Sequence, residues 1–216
     1  MLITIVVANQ KGGVGKTTTA LNLAASLSAA SRKVLLIDLD SQGNSTTGIG
    51  KEKAEGKNSL VDVLIEKEQI LDLIIQESGY KFDLIPASSD LISAEIELSP
   101  LKNPTSILRS KLDQIKDKYD YTVIDCPPSL GMLSVSALRA ASKVLIPLQC
   151  EYYSLEGLAA MDKTIKEINQ ATGENIEIDG ILRTMYDSRI RLSREVSKEL
   201  EEHFSEKLCD TVIPRN

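Results

Sequence analysis

The chain of 216 residues has no tryptophan, two phenylalanines, a single histidine and three cysteines. Cys126, Cys150 and Cys209 lie too far apart for a disulfide framework or a paired metal site, so a reducing cytoplasm is the expected compartment. His203, alone in "EEHFSEK", reads as a helix-surface residue rather than a catalyst. No apolar run approaches the roughly 18 residues that suggest a membrane span. The opening "MLITIVVANQKGG" lacks a basic n-region and a cleavage site and reads as a strand. A general basic excess is missing too: the net charge of −6 argues against a surface coated for nucleic acid. Repeats, low-complexity tracts and linkers are also absent.

What is present is an ordinary globular composition, 42% hydrophobic and 26% charged. Short β-branched runs alternate with helical patterns. Strands are predicted at Ile3–Ala8, Lys33–Leu39, Phe82–Pro86, Tyr121–Asp125, Lys143–Leu148, Ile176–Thr184 and Asp210–Ile213. Helices are predicted at Lys16–Ala30, Ser59–Glu66, Pro104–Lys118, Leu130–Ala141, Ser154–Gln170 and Ser193–Phe204. "VLLIDLD" and "YTVIDC" are apolar almost throughout before ending in an acid, as strands covered on both faces are. The expected fold is α/β, one domain over residues 1–216 with a doubly wound, mostly parallel sheet flanked by helices. "GIGKEKAEGKN", residues 48–58, reads as a mobile surface loop.

The chemistry is concentrated in "NQKGGVGKTTT", Asn9 to Thr19, between a predicted strand and a predicted helix. Gly12, Gly13 and Gly15 let the backbone approach a phosphate closely. Lys16 can reach the β- and γ-phosphates, the Thr17 hydroxyl can ligate Mg²⁺, and the helix N-terminus favours the anion. Asp125, ending "YTVIDCPP", suits the acid that holds magnesium through water, with Pro127 and Pro128 stopping the strand. In "LIDLDSQGNST", Asp38 and Asp40 have period-two spacing and are expected on one side of a strand's carboxyl end. One would support the magnesium shell and the other orient the attacking water, mostly by positioning. From Arg183 to Lys198 five basic residues face two acidic ones, a local excess of +3 that inverts the sign of the chain.

"KGGVGKTTTALNLA", "VLLIDLDSQGN", "DCPPSLG", "QCEYYSLEGL", "MYDSR" and "VIPRN" together resemble the ParA/Soj chromosome- and plasmid-partition ATPases, from end to end of the chain. The resemblance implies a P-loop NTPase fold with a deviant Walker A loop and ATP and Mg²⁺ as cofactors. It further implies a nucleotide site over Lys11, Gly12, Gly13, Val14, Gly15, Lys16, Thr17 and Thr18, with Pro214 and Asn216 near the adenine. Catalysis would rest on Lys11, Lys16 and Asp40, and magnesium on Thr17, Asp38 and Asp125. Lys11 would cross a homodimer interface that sandwiches two ATP molecules, and Gly12, Glu151, Tyr152 and Tyr153 would belong to that face. Arg189 in "MYDSR" matches a DNA-contacting position, and Arg183, Arg191 and Arg194 could widen the basic surface. The implied partners are non-specific DNA and a ParB-like centromere-binding protein, with no membrane, in a nucleoid-associated cytoplasmic setting.

Two departures belong to the resemblance. Ser41 stands where relatives usually have proline. Relatives also continue past "VIPRN" through a basic segment and a C-terminal helix, which implies a domain truncated at its C-terminus. No helix-turn-helix precedes the loop, which suggests the small Soj-like branch. Other readings are a MinD-like membrane-cycling ATPase, which would need a C-terminal amphipathic helix, and a metabolic P-loop enzyme, against which Lys11 weighs.

Overall fold

The computed structural model describes residues 2–54, 59–65, 69–76 and 80–215. Seven strands, β1 (Ile3–Val7), β2 (Val34–Asp38), β3 (Asp83–Ile85), β4 (Tyr121–Asp125), β5 (Lys143–Gln149), β6 (Ile178–Tyr186) and β7 (Leu208–Pro214), form one sheet in the order β3-β2-β4-β1-β5-β6-β7. Every pairing between them is parallel. Parallel neighbours need crossovers, and helices supply them: α1 (Lys16–Ala29), α2 (Asn44–Gly48), α3 (Leu60–Leu64), α4 (Ala94–Leu98), α5 (Ile107–Asp113), α6 (Met132–Ala140), α7 (Ser154–Thr172) and α8 (Arg191–Phe204).

Period-two alternation sorts the strand side chains into two cores. Val7, Val34, Leu36 and Val123 pack with Ala20 and Ala24 of α1. Val6, Leu35, Ile37 and Ile124 pack in the larger cluster with residues of α3, α5, α6, α7 and α8. Because all strands run the same way, the segments following β1, β2, β4, β5 and β6 open on one edge of the sheet. Strand β1 lies between β4 and β5, where the crossovers part to either side, and ligands of open parallel sheets bind outside such a point.

Differences from the sequence reading have local causes. The predicted helix from Pro104 begins as a 3-10 turn (Pro104–Ser106) and is α-helical only to Asp113, after which i→i+3 bonds such as Ile115 N to Leu112 O tighten the chain. Helices α2 and α4, five residues each, are too short to show a 3.6-residue period. The segment expected to be a mobile loop is tied down over its first part: Ile49 is buried, Ala54 N donates to Ala87 O, and Ala54 bridges Ser88. Residues 55–58 lie outside the described residues. Among the described residues no helix is long and apolar enough to cross a membrane.

Candidate nucleotide site

The loop between β1 and α1 is shaped by glycine at two positions. Gly13 and Gly15 have φ of 73° and 88°, a region side-chain-bearing residues avoid, and Gly15 caps α1 in the left-handed conformation. A Cβ added at Gly12 or Gly13 would meet nothing within 4 Å, so the loop borders open space at these two positions. The loop is pinned from outside: Asn9 Nδ2 donates to Pro147 O (2.8 Å), Gln149 Nε2 to Gly13 O (3.1 Å) and Thr184 Oγ1 to Val14 O (2.8 Å). Strands β5 and β6 thus set the height of the loop. Met185, next to Thr184, has φ of 47°, a left-handed position for a non-glycine residue beside the loop.

Lys16 is 7% exposed, and its Nζ donates to Lys11 O at 3.0 Å, so its side chain curls beneath the loop. Desolvation lowers its pKa, opposed by the charges of Asp125 and Asp40. Asp38 and Asp125 pair across β2 and β4 at the carboxyl edge, both fully buried. Burial pushes Asp125 up to about 6, although the neighbouring Ser45 and Thr17 hydroxyls oppose the rise. Ser45 Oγ reaches Asp125 Oδ2 at 2.7 Å, while Asp125 Oδ1 is buried without any partner among the described residues. A buried, unpartnered carboxylate oxygen beside a threonine hydroxyl at the head of a phosphate loop fits a hard, oxygen-loving cation such as Mg²⁺.

Asp38 is used differently. Its Oδ2 accepts from Thr46 N (2.8 Å) and Thr46 Oγ1 (2.7 Å), and its Oδ1 from Asp40 N (3.3 Å). Burial raises its pKa and these donors oppose the shift. Asp40 does not extend the strand, because β2 ends at Asp38. It sits half-buried in the turn that follows, with Gln42 N on its Oδ1 at 3.0 Å. The period-two expectation for the two acids therefore gives way to a turn in which Asp38 holds the backbone of Asp40.

At the mouth, the Lys11 ammonium pairs with the Glu151 carboxylate of the same chain, both about half exposed. Tyr152 and Tyr153 follow, 70% and 68% exposed, their rings edge-to-face at 5.0 Å. Pro214 lies at the same edge of the sheet, paired with Tyr186 on the outermost strand, three strands from β1. Asn216 lies outside the described residues.

The basic stretch changes most on folding. Arg183 is a correction: it does not extend a basic surface but is 8% exposed in β6, bonded to Ser197 Oγ and Glu201 Oε1 at 2.7 and 2.8 Å and, more loosely, to Cys209 O. Arg189, fully in solvent, is held by Asp187 through Nε and Nη2, and this contact drops the Asp187 carboxyl to about 2. Arg191 pairs with Glu195 and Lys198 with Glu202, whereas Arg194 donates to the carbonyl of Ser188. Sequence reasoning missed Ser45, Thr46, Gln149 and Thr184. Isolated hydroxyls and amides have no motif, and only the sheet reveals their partners.

Residues 2–178 match the family model described as AAA domain. The sporulation initiation inhibitor protein Soj of Bacillus subtilis is 44% identical over 98% of this chain and 84% of its own length. Among solved structures, cobyrinic acid a,c-diamide synthase from Mycobacterium smegmatis with bound ADP and magnesium superposes with a TM-score of 0.92 at 35% identity, over 100% of this chain and 88% of that one. A plasmid partition protein of Borrelia burgdorferi bound to AMPPNP gives 0.84 at 27% identity, over 100% and 86%. With the P-loop, the paired strand-end acids and this degree of likeness to Soj, the chain belongs to the ParA/Soj family of P-loop ATPases.

Proposed function

We propose that this single P-loop domain is an Mg²⁺-dependent ATPase that works as a dimerisation switch, binding DNA without sequence preference to partition a chromosome or plasmid. The observation that supports the reading best is the convergence of Lys16, Thr17, Asp125 and Asp40 under one glycine loop, with Lys11 at its mouth. Lys16, buried beneath the loop, neutralises the β- and γ-phosphates of the substrate. Loop amides from Gly12 to Thr18 and the N-terminus of α1 receive the phosphate oxygens. Thr17 and Asp125 would hold Mg²⁺, which would neutralise charge on the transferred phosphoryl group. Asp38 supports the metal site beside Asp125 and holds the turn that presents Asp40. Asp40 orients the attacking water, mostly by positioning.

Lys11 leaves its Glu151 partner for the nucleotide of a second copy, so that two ATP molecules sit between two protomers. Gly12, Glu151, Tyr152 and Tyr153 form part of that face, and Pro214 and Asn216 border the adenine. Arg189, with Arg191 and Arg194, contacts DNA phosphates, and a ParB-like protein stimulates turnover in a nucleoid-associated, cytoplasmic cycle. The likeness to the Mycobacterium synthase raises an amide-forming alternative. Cleaving glutamine for its ammonia calls for a reactive thiolate, and here burial raises the Cys126, Cys150 and Cys209 thiols, Cys150 to about 11.

The test is Asp40→Ala with ATP and Mg²⁺, followed by light scattering and phosphate release. The expected result is retained ATP, lost hydrolysis and a stable dimer. Hydrolysis at the wild-type rate would remove Asp40 from its role, and a monomer at saturating ATP would remove the switch.

A further inference from the structure

Between the acids at the ends of β2 and β4 and the short helix α2 runs a set of buried hydroxyl contacts that no motif marks. Thr46, fully buried, donates twice to Asp38 Oδ2, through N and Oγ1. The same Oγ1 accepts from Ala87 N (2.9 Å), two residues past the end of β3. Ser45, also fully buried, donates to Asp125 Oδ2 at 2.7 Å. Adjacent residues of one helical turn therefore grip both strand-end acids, and the seven residues from 39 to 45 are closed into an arc anchored at Asp38 and at Thr46. Asp40 lies in that arc, with its backbone N–H on Asp38 Oδ1 and its carboxylate on Gln42 N.

We propose that Thr46 and Ser45 are positioning residues for ATP hydrolysis: through Asp38 and Asp125 they fix the arc that presents Asp40 and the orientation of the Asp125 carboxylate. This rests on the ATPase reading above. A carboxylate with two donors on one oxygen is locked in rotation, because turning it would leave a buried hydroxyl and a buried amide unpartnered. Thr46 also makes the arc answer to β3, since its hydroxyl is both donor to Asp38 and acceptor from Ala87. Ser45 settles which Asp125 oxygen remains free: Oδ2 is engaged and Oδ1 is the buried unpartnered one. Neither hydroxyl needs to touch the nucleotide for this role. The effect on phosphoryl transfer is one of geometry, where small misplacements are costly in rate.

Thr46→Val keeps the volume and removes the hydroxyl, and Thr46→Ser keeps the hydroxyl. For Thr46→Val the expected result is a fall in kcat of about 10-fold or more with affinity for ATP within about threefold of wild type. Thr46→Ser should restore kcat to within about threefold of wild type. In nucleotide-free protein, hydrogen exchange at the amides of Asp40, Thr46 and Ala87 should quicken in Thr46→Val alone. Ser45→Ala should lower kcat in the same way and leave the exchange at Ala87 unchanged. If Thr46→Val hydrolyses ATP at the wild-type rate, or if Thr46→Ser fails to rescue it while remaining folded, the positioning role is overturned. A wild-type protein that neither binds nor hydrolyses ATP would instead overturn the ATPase reading, a separate outcome from the same assays.

Discussion

Asp125 is ionised against its surroundings: it is 1% exposed, faces Asp38 across the strand pair, and is raised to about 6. In the unfolded chain the group titrates near about 3.9, so between these values the folded state binds the extra proton. Stability contributed by this residue therefore falls as pH rises from about 4 to about 6 and is level above that. Asp125→Asn should be more stable than wild type by an amount that grows through this window and levels at ~3 kcal/mol. Urea melts of both proteins from pH 4.5 to 7.5, without nucleotide, check this. A difference that stays flat with pH would contradict the assignment. The same charge should make binding of Mg²⁺ and nucleotide strengthen through the same window, because the metal needs the ionised acid. Lys16→Ala should lose ATP binding by 100-fold or more in a fluorescent-nucleotide titration, a loss that unchanged folding would tie to the phosphates.

The same residues show what a sequence can tell. Gly15, Lys16, Thr17 and Asp125 announce themselves because phosphate chemistry demands those types at that spacing between a strand and a helix. Ser45 and Thr46 do not, because a hydroxyl becomes informative only once Asp125 and Asp38, 80 and 8 residues away, are placed beside it. Thr184 and Gln149, which hold the loop from 170 and 136 residues away, are hidden for the same reason.

At the scale of elements, continuous apolar runs made the strands legible, and two-sided burial explains them: all five residues of β2 are buried. The element that misled was β6 with the helix after it. A window of charges cannot see that Glu201 and Glu202, one turn beyond its end, reach back to Arg183 and Lys198. Two substitutions separate the readings of this region. Arg183→Glu should leave DNA binding unaltered wherever the protein stays folded, but lower the melting temperature by several degrees, since it puts a second acid against Glu201. Arg189→Glu should leave the melting temperature within about two degrees and weaken DNA binding alike for all sequences. Filter binding beside thermal melts decides. Equal losses of DNA binding in both would return Arg183 to the surface.

For the whole molecule, the proposed function asks a chain of net charge −6 to meet a polyanion. Long-range electrostatics oppose the encounter, so attraction must come from a few local cations, and Arg189, Arg191 and Lys198 begin the encounter already paired with acids. Arg189 must leave Asp187 to reach a phosphate, an exchange of one anion for another that gives little in a single protomer. In the proposed dimer, two protomers joined by ATP would present the patch twice, and the second contact would then form at high effective concentration. The Asp40→Ala protein should therefore bind random duplex DNA with ATP and not with ADP. The slope of log affinity against log salt should be about −4 if two protomers each engage two or three phosphates, and about half that for one protomer. Asp187→Asn removes the competing anion and should tighten ATP-dependent binding several-fold without changing ATP turnover in the absence of DNA. Tightening under both nucleotides would mean that freed arginines suffice and the dimer is not the gate. No tightening in either state would mean that Arg189 does not touch DNA, and the patch would have to be sought elsewhere, with Arg194, held on the Ser188 carbonyl rather than on an acid, the first to test.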